Sequence, residues 1–370
     1  MLLQEGFLQG LYMKKIICYI DSMQLGGAQR VMANLTKHFV NSKIDVLLVN
    51  DIVPVEKIPE YEIDKKVRRI YLDFGRVETK GIRKNIHRIT VLRKIIKSEK
   101  PDVVLSFIGP PNIRMLIATI GLKTRKIVSV RNDPYKEYGT GKMRIIVNFL
   151  FGLANGCVFQ TDDAANYFSN KLRKRSIVIY NPVNQVFYNT KHHSDEKTII
   201  MVGRLNHQKN YSMAINAFSL IANKYPELIL SIFGEGELRN NLQKQIDKHG
   251  LKGRILLNGR TNNVEEKLSS AMIFVMTSDY EGMPNALMEA MAMGIPCIST
   301  DCPCGGARMI IKHGQSGFLI DCNNEVQLAE KIEILVSNEK IRKLMSCKAK
   351  ASAQDFFPDK IYKEWDKFLF

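Results

Sequence analysis

The strongest constraint on the fold is a pattern that the chain shows twice: short apolar runs alternating with helical stretches. Uninterrupted apolar runs of this length are typical of parallel strands that are covered on both faces. The first set occupies residues 16–20, 44–49, 103–107, 126–130, 156–159 and 177–180. The second set occupies residues 198–202, 228–233, 255–257, 272–276 and 296–299. Alternation of strands with helices predicts an α/β fold with parallel sheets.

A break between the two sets divides the chain. Asn181-Pro182-Val183 ends the first set, and the polar run from Thr190 to Lys197 is typical of a linker. A chain of 370 residues is also longer than one core usually fills. We therefore predict two Rossmann-like lobes facing a central cleft, residues 1–185 and 186–356, with a C-terminal helix at about 357–370 that packs back on the first. Ligands of such folds bind beyond the carboxyl ends of the strands.

The positive charge is concentrated in the first half of the chain. The chain has 54 Lys and Arg against 37 Asp and Glu, a net charge of +17. Residues 1–185 hold 31 of these basic and 16 of these acidic residues, a net of +15, which leaves 23 and 21, a net of +2, for the rest. Such asymmetry favours an anionic partner, which is a nucleic acid, an anionic membrane or a phosphate-bearing substrate. The alternative is a solvated basic surface.

One predicted helix, residues 81–100, carries much of this charge. Its predicted apolar side consists of Ile82, Ile86, Ile89, Leu92 and Ile96. Lys100 ends it, and its other six cations are Arg83, Lys84, Arg88, Arg93, Lys94 and Lys97.

The sequence also indicates where the protein resides. It has no run of 18 or more apolar residues, so we expect no membrane span. The segment Met1–Tyr12 lacks a positive n-region, so we do not expect a signal peptide, and we expect the folded part to begin at Met13. Seven cysteines, an odd number, suit a reducing cytoplasm. Cys302 and Cys304 lack the second ligand pair that a zinc site requires, and we predict no metal.

Two glycine-rich turns follow predicted strands of the second half. In the first, Gly203-Arg204-Leu205 precedes Lys209, and both cations can reach a diphosphate from this position. The alternative is two solvated loop cations. In the second, Phe233-Gly234-Glu235-Gly236 places glycines where a ligand can approach the backbone closely, although tight turns also use glycine for steric reasons alone.

A pair of glutamates gives the strongest signal. Glu281 lies in a predicted loop, and Glu289 lies on a predicted helix that begins at Pro284. Glu289 stands among Ala, Met and Leu, where a carboxylate without a partner is costly. A ribose diol would suit Glu289, and sugar hydroxyls would suit Glu281. The alternative is a structural salt bridge.

These motifs together resemble the retaining GT-B glycosyltransferases of family 4. The resemblance covers almost the whole chain from Met13 onward, and the last motif is that family's E-x7-E. The matching segments are Gly26-Gly27-Ala28-Gln29-Arg30, Val202-Gly203-Arg204-Leu205 with Lys209, Phe233–Gly236, Glu281–Glu289, Asp301–Gly306 and Gly314–Leu319.

The resemblance implies a role for each matching residue. Arg204 and Lys209 would hold the donor diphosphate and stabilise the leaving group, Glu281 would contact the transferred sugar, and Glu289 would bind the ribose. Arg260, Thr261 and the turn at Gly234 would approach the base, and Gly26-Gly27 would close over the phosphates. The remaining expected donor-binding residues are Gly203, Gly236, Gly282, Met283, Pro284 and Asn285. Many relatives have a histidine where this chain has Arg131 and Asn132, which we expect to touch the donor sugar or the acceptor instead.

The resemblance also suggests the partners. Relatives with similar segments often build bacterial surface polysaccharides on polyprenyl-diphosphate-linked acceptors at the cytoplasmic membrane face. We therefore expect a UDP-linked donor, a lipid-linked or oligosaccharide acceptor, and an anionic membrane surface that the six cations from Arg83 to Lys97 contact. No D-x-D occurs in the sequence, so we expect neither a metal nor another cofactor. The alternatives are a nucleotide-sugar epimerase, a non-catalytic nucleotide-sugar-binding protein and a nucleic-acid binder, the last of which would leave the glycine turns unexplained.

Overall fold

The computed structural model describes residues 14–24, 26–54, 59–73 and 81–370. The expectations for Met1–Tyr12 and Met13 lie outside these residues. The chain divides into two compact units. The first runs to Ile179 and also takes in Tyr362–Phe370, and the second is Tyr180–Ile361. The division therefore falls a few residues before the predicted one at 185/186.

Within the described residues, the first unit is built on a sheet of seven parallel strands in the order β3-β2-β1-β4-β5-β6-β7. The strands are β1 Lys14–Ile20, β2 Ile44–Asn50, β3 Arg68–Tyr71, β4 Val103–Phe107, β5 Arg125–Ser129, β6 Gly156–Phe159 and β7 Ile177–Val178. The helices are α1 Gly27–Asn41, α2 Gly81–Glu99, α3 Gly109–Ala118, α4 Pro134–Tyr138, α5 Gly141–Phe151, α6 Asp162–Ala165 and α7 Asn170–Arg173.

The second unit, which is described throughout, has a six-stranded parallel sheet in the order β10-β9-β8-β11-β12-β13. Its strands are β8 Thr198–Val202, β9 Ile229–Phe233, β10 Ile255–Gly259, β11 Ile273–Met276, β12 Cys297–Thr300 and β13 Phe318–Ile320. Its helices are α8 Gln185–Asn189, α9 Tyr211–Ile221, α10 Arg239–Lys248, α11 Val264–Ser269, α12 Asn285–Met293, α13 Gly306–Ile310, α14 Glu325–Ser337 and α15 Glu339–Ser352. Two 3-10 turns occur at His207–Lys209 and Ala353–Phe356.

Both units confirm the predicted α/β fold with parallel sheets. Counted within each unit, the strand order is 3-2-1-4-5-6, and the first sheet adds a seventh strand. This is the Rossmann order, in which the chain reverses direction across the sheet beside its first strand. Helices cover both faces, so the central strands are buried, as their unbroken apolar runs predict.

Two edge strands were missed by the sequence analysis. β3 contains Arg68 and Arg69 and lies half exposed at one edge of its sheet. β13 has only three residues. Neither is an apolar run of the length that identifies the central strands, because an edge strand has fewer neighbours to bury it.

The prediction for α2 was correct in extent but wrong in part about its apolar side. Leu92 and Ile96 are buried, as expected. Ile82 and Ile86 are instead 78% and 58% exposed. The first two turns of α2 therefore do not use their apolar residues to pack on the sheet.

The last helix, α16, is Pro358–Leu369. From Tyr362 onward it belongs to the first unit. Trp365 is fully buried there, with its ring centroid 5.8 Å from that of Phe107 on β4. His38 Nε2 on α1 lies 2.9 Å from the Asp366 carboxylate.

Candidate active site

Two of the residues that the sequence singled out, Lys209 and Glu281, meet at the carboxyl ends of two central strands of the second sheet. Lys209 lies in the connection after β8, and Glu281 lies in the connection after β11. These strands are neighbours in the sheet, but their connections lead to opposite sides of it. A crevice for ligands forms at this reversal point in sheets of this kind.

An ion pair joins the two connections. The Lys209 ammonium contacts Oε1 of Glu281, and the Ser278 hydroxyl donates to the same oxygen over 2.8 Å. Glu281 is 8% exposed, whereas 22% of the Lys209 side chain is exposed. The carboxylate is therefore held by two partners, while the lysine side chain remains partly accessible to solvent.

Backbone contacts hold these two connections in register. Thr277 Oγ1 donates to the carbonyl oxygens of Lys209 and Asn210, over 2.9 Å in each case. Asp279 N donates to Gln208 O over 2.8 Å, and Gln208 Nε2 donates to Tyr280 O over 2.9 Å. The Lys209–Glu281 pair is thus placed by a bonded framework.

Further backbone bonds fix the Glu281 end of the pair. Its amide donates to Pro303 O over 2.7 Å, and its carbonyl accepts from Cys304 N over 3.0 Å. A Cβ at Gly306 would lie 1.8 Å from Gly282 O, so the two segments touch through glycine. The Asp301–Gly306 segment, noted above only as a family motif, therefore holds the Glu281 loop in place through hydrogen bonds and close packing.

The predicted glycines after β8 and β9 have a steric role. Gly234 has φ +153°, and a Cβ there would lie 1.8 Å from Gly203 O. A Cβ at Gly236 would lie 2.2 Å from Leu205 O. The two turns can therefore pack against each other only without side chains at these positions. Their contact with a donor stays a prediction.

Gly203 lies directly beneath the lysine. A Cβ at this position would lie 3.3 Å from Lys209 Cε and 2.9 Å from the hydroxyl oxygen of Tyr211. Tyr211 is buried, and this burial, with the Glu281 charge as a smaller cause, raises the pKa of its hydroxyl far above the ordinary value. Sequence analysis missed Tyr211 and Ser278. Only the three-residue spacing of Ser278 from Glu281 hinted at a contact.

Glu289 is placed as the sequence analysis expected, on a helix and buried. It lies on α12 and is 3% exposed, and every residue of that helix from Leu287 to Met293 is buried. The helix begins at Asn285 with Pro284 as its N-cap residue, one position later than predicted. A short helix buried on all sides holds its carboxylate rigidly.

The other predicted donor-binding residues differ in accessibility. Arg204 and Arg260 are exposed, Thr261 is half-buried, and Met283 packs in the core. Asn285 already accepts a hydrogen bond from Asn181 Nδ2 over 2.7 Å. Asn285 therefore has a structural contact that the sequence analysis did not foresee.

The first-unit residues Gly26, Gly27, Arg131 and Asn132 are described separately, because they belong to the other compact unit. Gly26 is the N-cap residue of the 15-residue helix α1, and Gly27 begins that helix. Arg131 follows β5 and is 8% exposed, with its guanidinium 4.7 Å from the centroid of the Phe107 ring. Burial lowers its pKa to about 9. Asn132 is half-buried.

A further acidic group lies near the same connection. Glu137 on α4 accepts a hydrogen bond from Gly109 N, the first residue of α3, over 2.6 Å. Burial raises the pKa of its carboxyl group to about 7, and the nearby Asp133 and Asp21 charges act in the same direction. Sequence analysis did not single out Glu137, because its burial comes from elements distant in the chain.

The cations of α2 that were predicted to dock on a membrane are placed in two groups. Arg88 pairs with Asp73 over 2.6 Å and with Asp51 over 3.2 Å, Lys84 pairs with Asp73 over 3.3 Å, and Arg93 donates to two backbone carbonyls over 2.7 Å. Arg83, Lys94 and Lys97 are exposed. Half of the predicted set therefore stabilises the first unit itself.

The part of the chain that the structure describes contains neither a candidate metal site nor a candidate membrane span. No group of three or more His, Cys, Asp or Glu side chains there is arranged to hold a metal ion. In the same part of the chain, no helix is both long and apolar enough to cross a membrane.

Comparison with known families agrees with the geometry. A model described as Glycosyltransferase Family 4 matches residues 25–186, and one described as Glycosyl transferases group 1 matches residues 185–352. The chain belongs to the family 4 glycosyltransferases. It is therefore a transferase by family, and the epimerase alternative finds no support.

Relatives match nearly the full chain. One from Campylobacter jejuni is 28% identical over 96% of this chain and 98% of its own. Its name is GalNAc-alpha-(1->4)-GalNAc-alpha-(1->3)-diNAcBac-PP-undecaprenol alpha-1,4-N-acetyl-D-galactosaminyltransferase. The amylovoran biosynthesis glycosyltransferase AmsD of Erwinia amylovora is 23% identical over 96% of this chain and 100% of its own.

A solved structure supports the fold. Anabaena Alr3699/HepE, crystallised in complex with UDP and glucose, has a TM-score of 0.81 and 16% identity, covering 96% of this chain and 99% of that chain. The fold of this family 4 member is GT-B, as the sequence resemblance implied.

Proposed function

We propose that this glycosyltransferase moves a hexose or N-acetylhexosamine, with retention, from a UDP-linked donor to a glycan acceptor carried on polyprenyl diphosphate. We place the reaction at the cytoplasmic membrane face, in the synthesis of a bacterial surface polysaccharide. The observation that carries the proposal is the Lys209–Glu281 ion pair at the reversal point of the second sheet.

Lys209 and Arg204 stabilise the leaving group in this proposal. As the bond from the sugar C1 to the diphosphate breaks, its electron pair stays on the diphosphate and negative charge develops there. An ammonium has three N–H donors, so Lys209 can contact a phosphate oxygen while it keeps Glu281. Fixed cations aimed at developing charge lower the barrier without reorganisation. These two cations replace a metal, and we expect full activity in the presence of a chelator.

The two glutamates bind hydroxyl groups of the donor. Glu281, held by Lys209 and Ser278, keeps lone pairs on its second oxygen for the transferred sugar. Glu289 receives the ribose diol, and Arg260 with Thr261 borders the base at the carboxyl end of β10. For Gly26-Gly27, Arg131 and Asn132 of the first unit, the contacts with phosphates, donor sugar or acceptor that the resemblance implies stay predictions.

The acceptor and the donor are suggested by the relatives. The Campylobacter jejuni enzyme has PP-undecaprenol in its name, and the Erwinia amylovora enzyme is named for amylovoran biosynthesis. The Anabaena structure contains UDP and glucose. A lipid-linked acceptor requires the protein to work at a membrane surface, and the basic first half of the chain suits an anionic one.

The test is transfer of sugar from a panel of UDP- and GDP-sugars to a detergent-solubilised polyprenyl-diphosphate glycan. Lys209→Ala should abolish turnover, whereas the matched control Lys224→Ala, which breaks the exposed Lys224–Glu333 pair, should not. NMR of the product should show the anomeric configuration of the donor. Wild-type protein that binds nucleotide sugars without transfer to any acceptor would instead support the non-catalytic alternative.

A further inference from the structure

Helix α5 of the first unit presents an apolar surface to solvent. Phe149 is 74% exposed, Ile145 72%, and Met143 and Ile146 52% each. Leu153, just after the helix, is 38% exposed. We refer to these five residues as the α5 face. Their spacings of three and four residues place them on one side of the helix.

The opposite side of α5 is firmly attached to the unit. Val147 and Phe151 are buried in the core. Arg144 Nε donates to Tyr167 O over 2.8 Å, and Asn148 Nδ2 donates to the same oxygen over 3.4 Å. The helix is therefore properly docked, and the exposure of the α5 face does not come from a poorly packed element.

An apolar face of this kind is unusual on a surface helix, whose outer side is normally polar. Exposed Leu220 and Leu344 of the second unit stand singly on their helices, which needs no explanation. A contiguous apolar patch marks a surface that binds a partner or a membrane.

The charges around the α5 face select between these occupants. The helix itself contains Lys142 and Arg144 and no acidic residue. Arg175 donates to Gly152 O over 2.7 Å at the end of the helix. The neighbouring exposed cations are Lys136, Lys171, Arg173 and Lys174, against exposed Asp162 and Asp163. A second copy of the chain would bring like charges together, whereas anionic lipid head groups would neutralise them.

We propose that the α5 face inserts shallowly into the interfacial region of an anionic bilayer. The membrane contact thus moves from the charged side of α2 to α5. Helix α5 also belongs to the connection after β5 that carries Arg131 and Asn132, so docking brings those residues to a lipid-borne substrate. This step rests on the proposed function, whereas vesicle binding itself does not.

The first test is co-sedimentation with vesicles of phosphatidylcholine alone and of phosphatidylcholine with phosphatidylglycerol. Ile145→Ser/Phe149→Ser should lower the partition coefficient for the anionic vesicles at least about tenfold, because two large apolar side chains leave the interface. The matched control Leu220→Ser/Leu344→Ser changes two exposed apolar residues of the second unit and should bind as the wild type does. Equal binding by both double variants would overturn the proposal.

A second measurement follows a fluorescence signal that insertion itself would produce. The chain has one tryptophan, Trp365, which is fully buried. Phe149→Trp should therefore give an emission that shifts to the blue on addition of anionic vesicles, and no shift would contradict insertion. If light scattering shows a wild-type dimer that the double variant breaks, with no vesicle binding by either, the face is a contact between copies and the proposal is wrong.

The outcomes also separate this proposal from the function. A wild type that binds anionic vesicles through the α5 face but transfers no sugar to lipid acceptors would leave this proposal standing and refute the lipid-linked acceptor. The double variant should keep wild-type turnover with a detergent-solubilised acceptor, since neither Ile145 nor Phe149 is among the predicted donor-site residues.

Discussion

Charged side chains are placed differently in the two units. In the second unit they lie in the connections after β8 and β11, and in the first unit they lie in the connection after β5. In the second unit, Lys209 and Glu281 lie in contact and satisfy each other. In the first unit, burial lowers the pKa of Arg131 to about 9 and raises that of Glu137 to about 7. One site keeps its ionic groups as a pair, and the other disfavours the ionised form of each.

This difference fits two kinds of ligand. A diphosphate is strongly anionic and needs a fixed cation whose own charge is maintained by a partner. A sugar hydroxyl is neutral, and a buried environment suits hydrogen bonding to it. The comparison is in keeping with the proposed contact between Lys209 of the second unit and the donor diphosphate.

Removing charge from the pair should have the largest effect. Glu281→Gln keeps the size and the bond from Ser278 but leaves Lys209 without its counter-charge. We expect turnover to fall by about two to three orders of magnitude, the scale of losing one fixed electrostatic contact in an active site. The measurement is kcat/KM for the donor. Glu333→Gln, which removes the carboxylate of an exposed pair, is the control and should keep normal activity.

Removing charge from the first unit should change stability with pH. Well below pH 4.5, Glu137 is protonated in both the folded and the unfolded chain, so its titration does not lower the free energy of unfolding. As pH rises from about 4.5 to about 7, the unfolded chain ionises while the folded one keeps its proton, so the free energy of unfolding falls. The accumulated loss is on the order of 3 kcal/mol, and it persists above pH 7.

Glu137→Gln should abolish that loss, because the amide oxygen still accepts from Gly109 N and cannot ionise. Urea unfolding of wild type and variant at pH 4.5 and pH 8 measures it. Glu237→Gln, at an exposed position, should follow the wild type. An identical pH dependence for the wild type and Glu137→Gln would show that burial does not raise the pKa of this carboxyl group.

A methyl group under the lysine should give the smallest effect. Gly203→Ala places a Cβ 2.9 Å from the Tyr211 hydroxyl and 3.3 Å from Lys209 Cε, so the tyrosine must shift and the lysine stem must give slightly. We expect an increase of about threefold to tenfold in donor KM, since a modest misplacement weakens one charged contact. In a Lys209→Ala background the same change should add nothing to the loss of donor affinity, and an additive loss would mean that Gly203 acts elsewhere.

The central fold could be predicted from the sequence because its signals are local. Apolar runs such as Val103–Phe107 and Thr198–Val202 are strands with the predicted bounds. Their buried, two-sided environment requires apolar residues throughout. The edge strand Arg68–Tyr71 needs no such composition, so its sequence resembles a loop.

The site could be predicted in part, for a related reason. Residue type and spacing were enough to expect Lys209 and Glu281 at one sheet edge, because parallel strands end on the same side. The bond between Asn181 and Asn285 joins residues too far apart in the chain for local patterns to show. The sequence indicated that Gly234 allows a close approach to the backbone, but only the structure shows that the approaching group is Gly203.

The α2 and α5 helices show a limit of the same kind. Periodicity placed Ile82 and Ile86 of α2 inside, because apolar spacing usually indicates a buried side. It did not single out α5, because apolar residues lie on the exposed as well as on the buried side of this helix. Exposure in the folded unit is what identifies the α5 face.

The central claim is that Lys209 of the second unit holds the donor diphosphate, and calorimetric titration with UDP tests it most directly. The account predicts that Lys209→Ala raises the Kd for UDP at least about tenfold, as expected for the loss of one charge-assisted contact. Lys224→Ala, which removes the same charge at an exposed position of the same unit, should leave the Kd unchanged. Equal UDP affinity in wild type and Lys209→Ala would contradict the account.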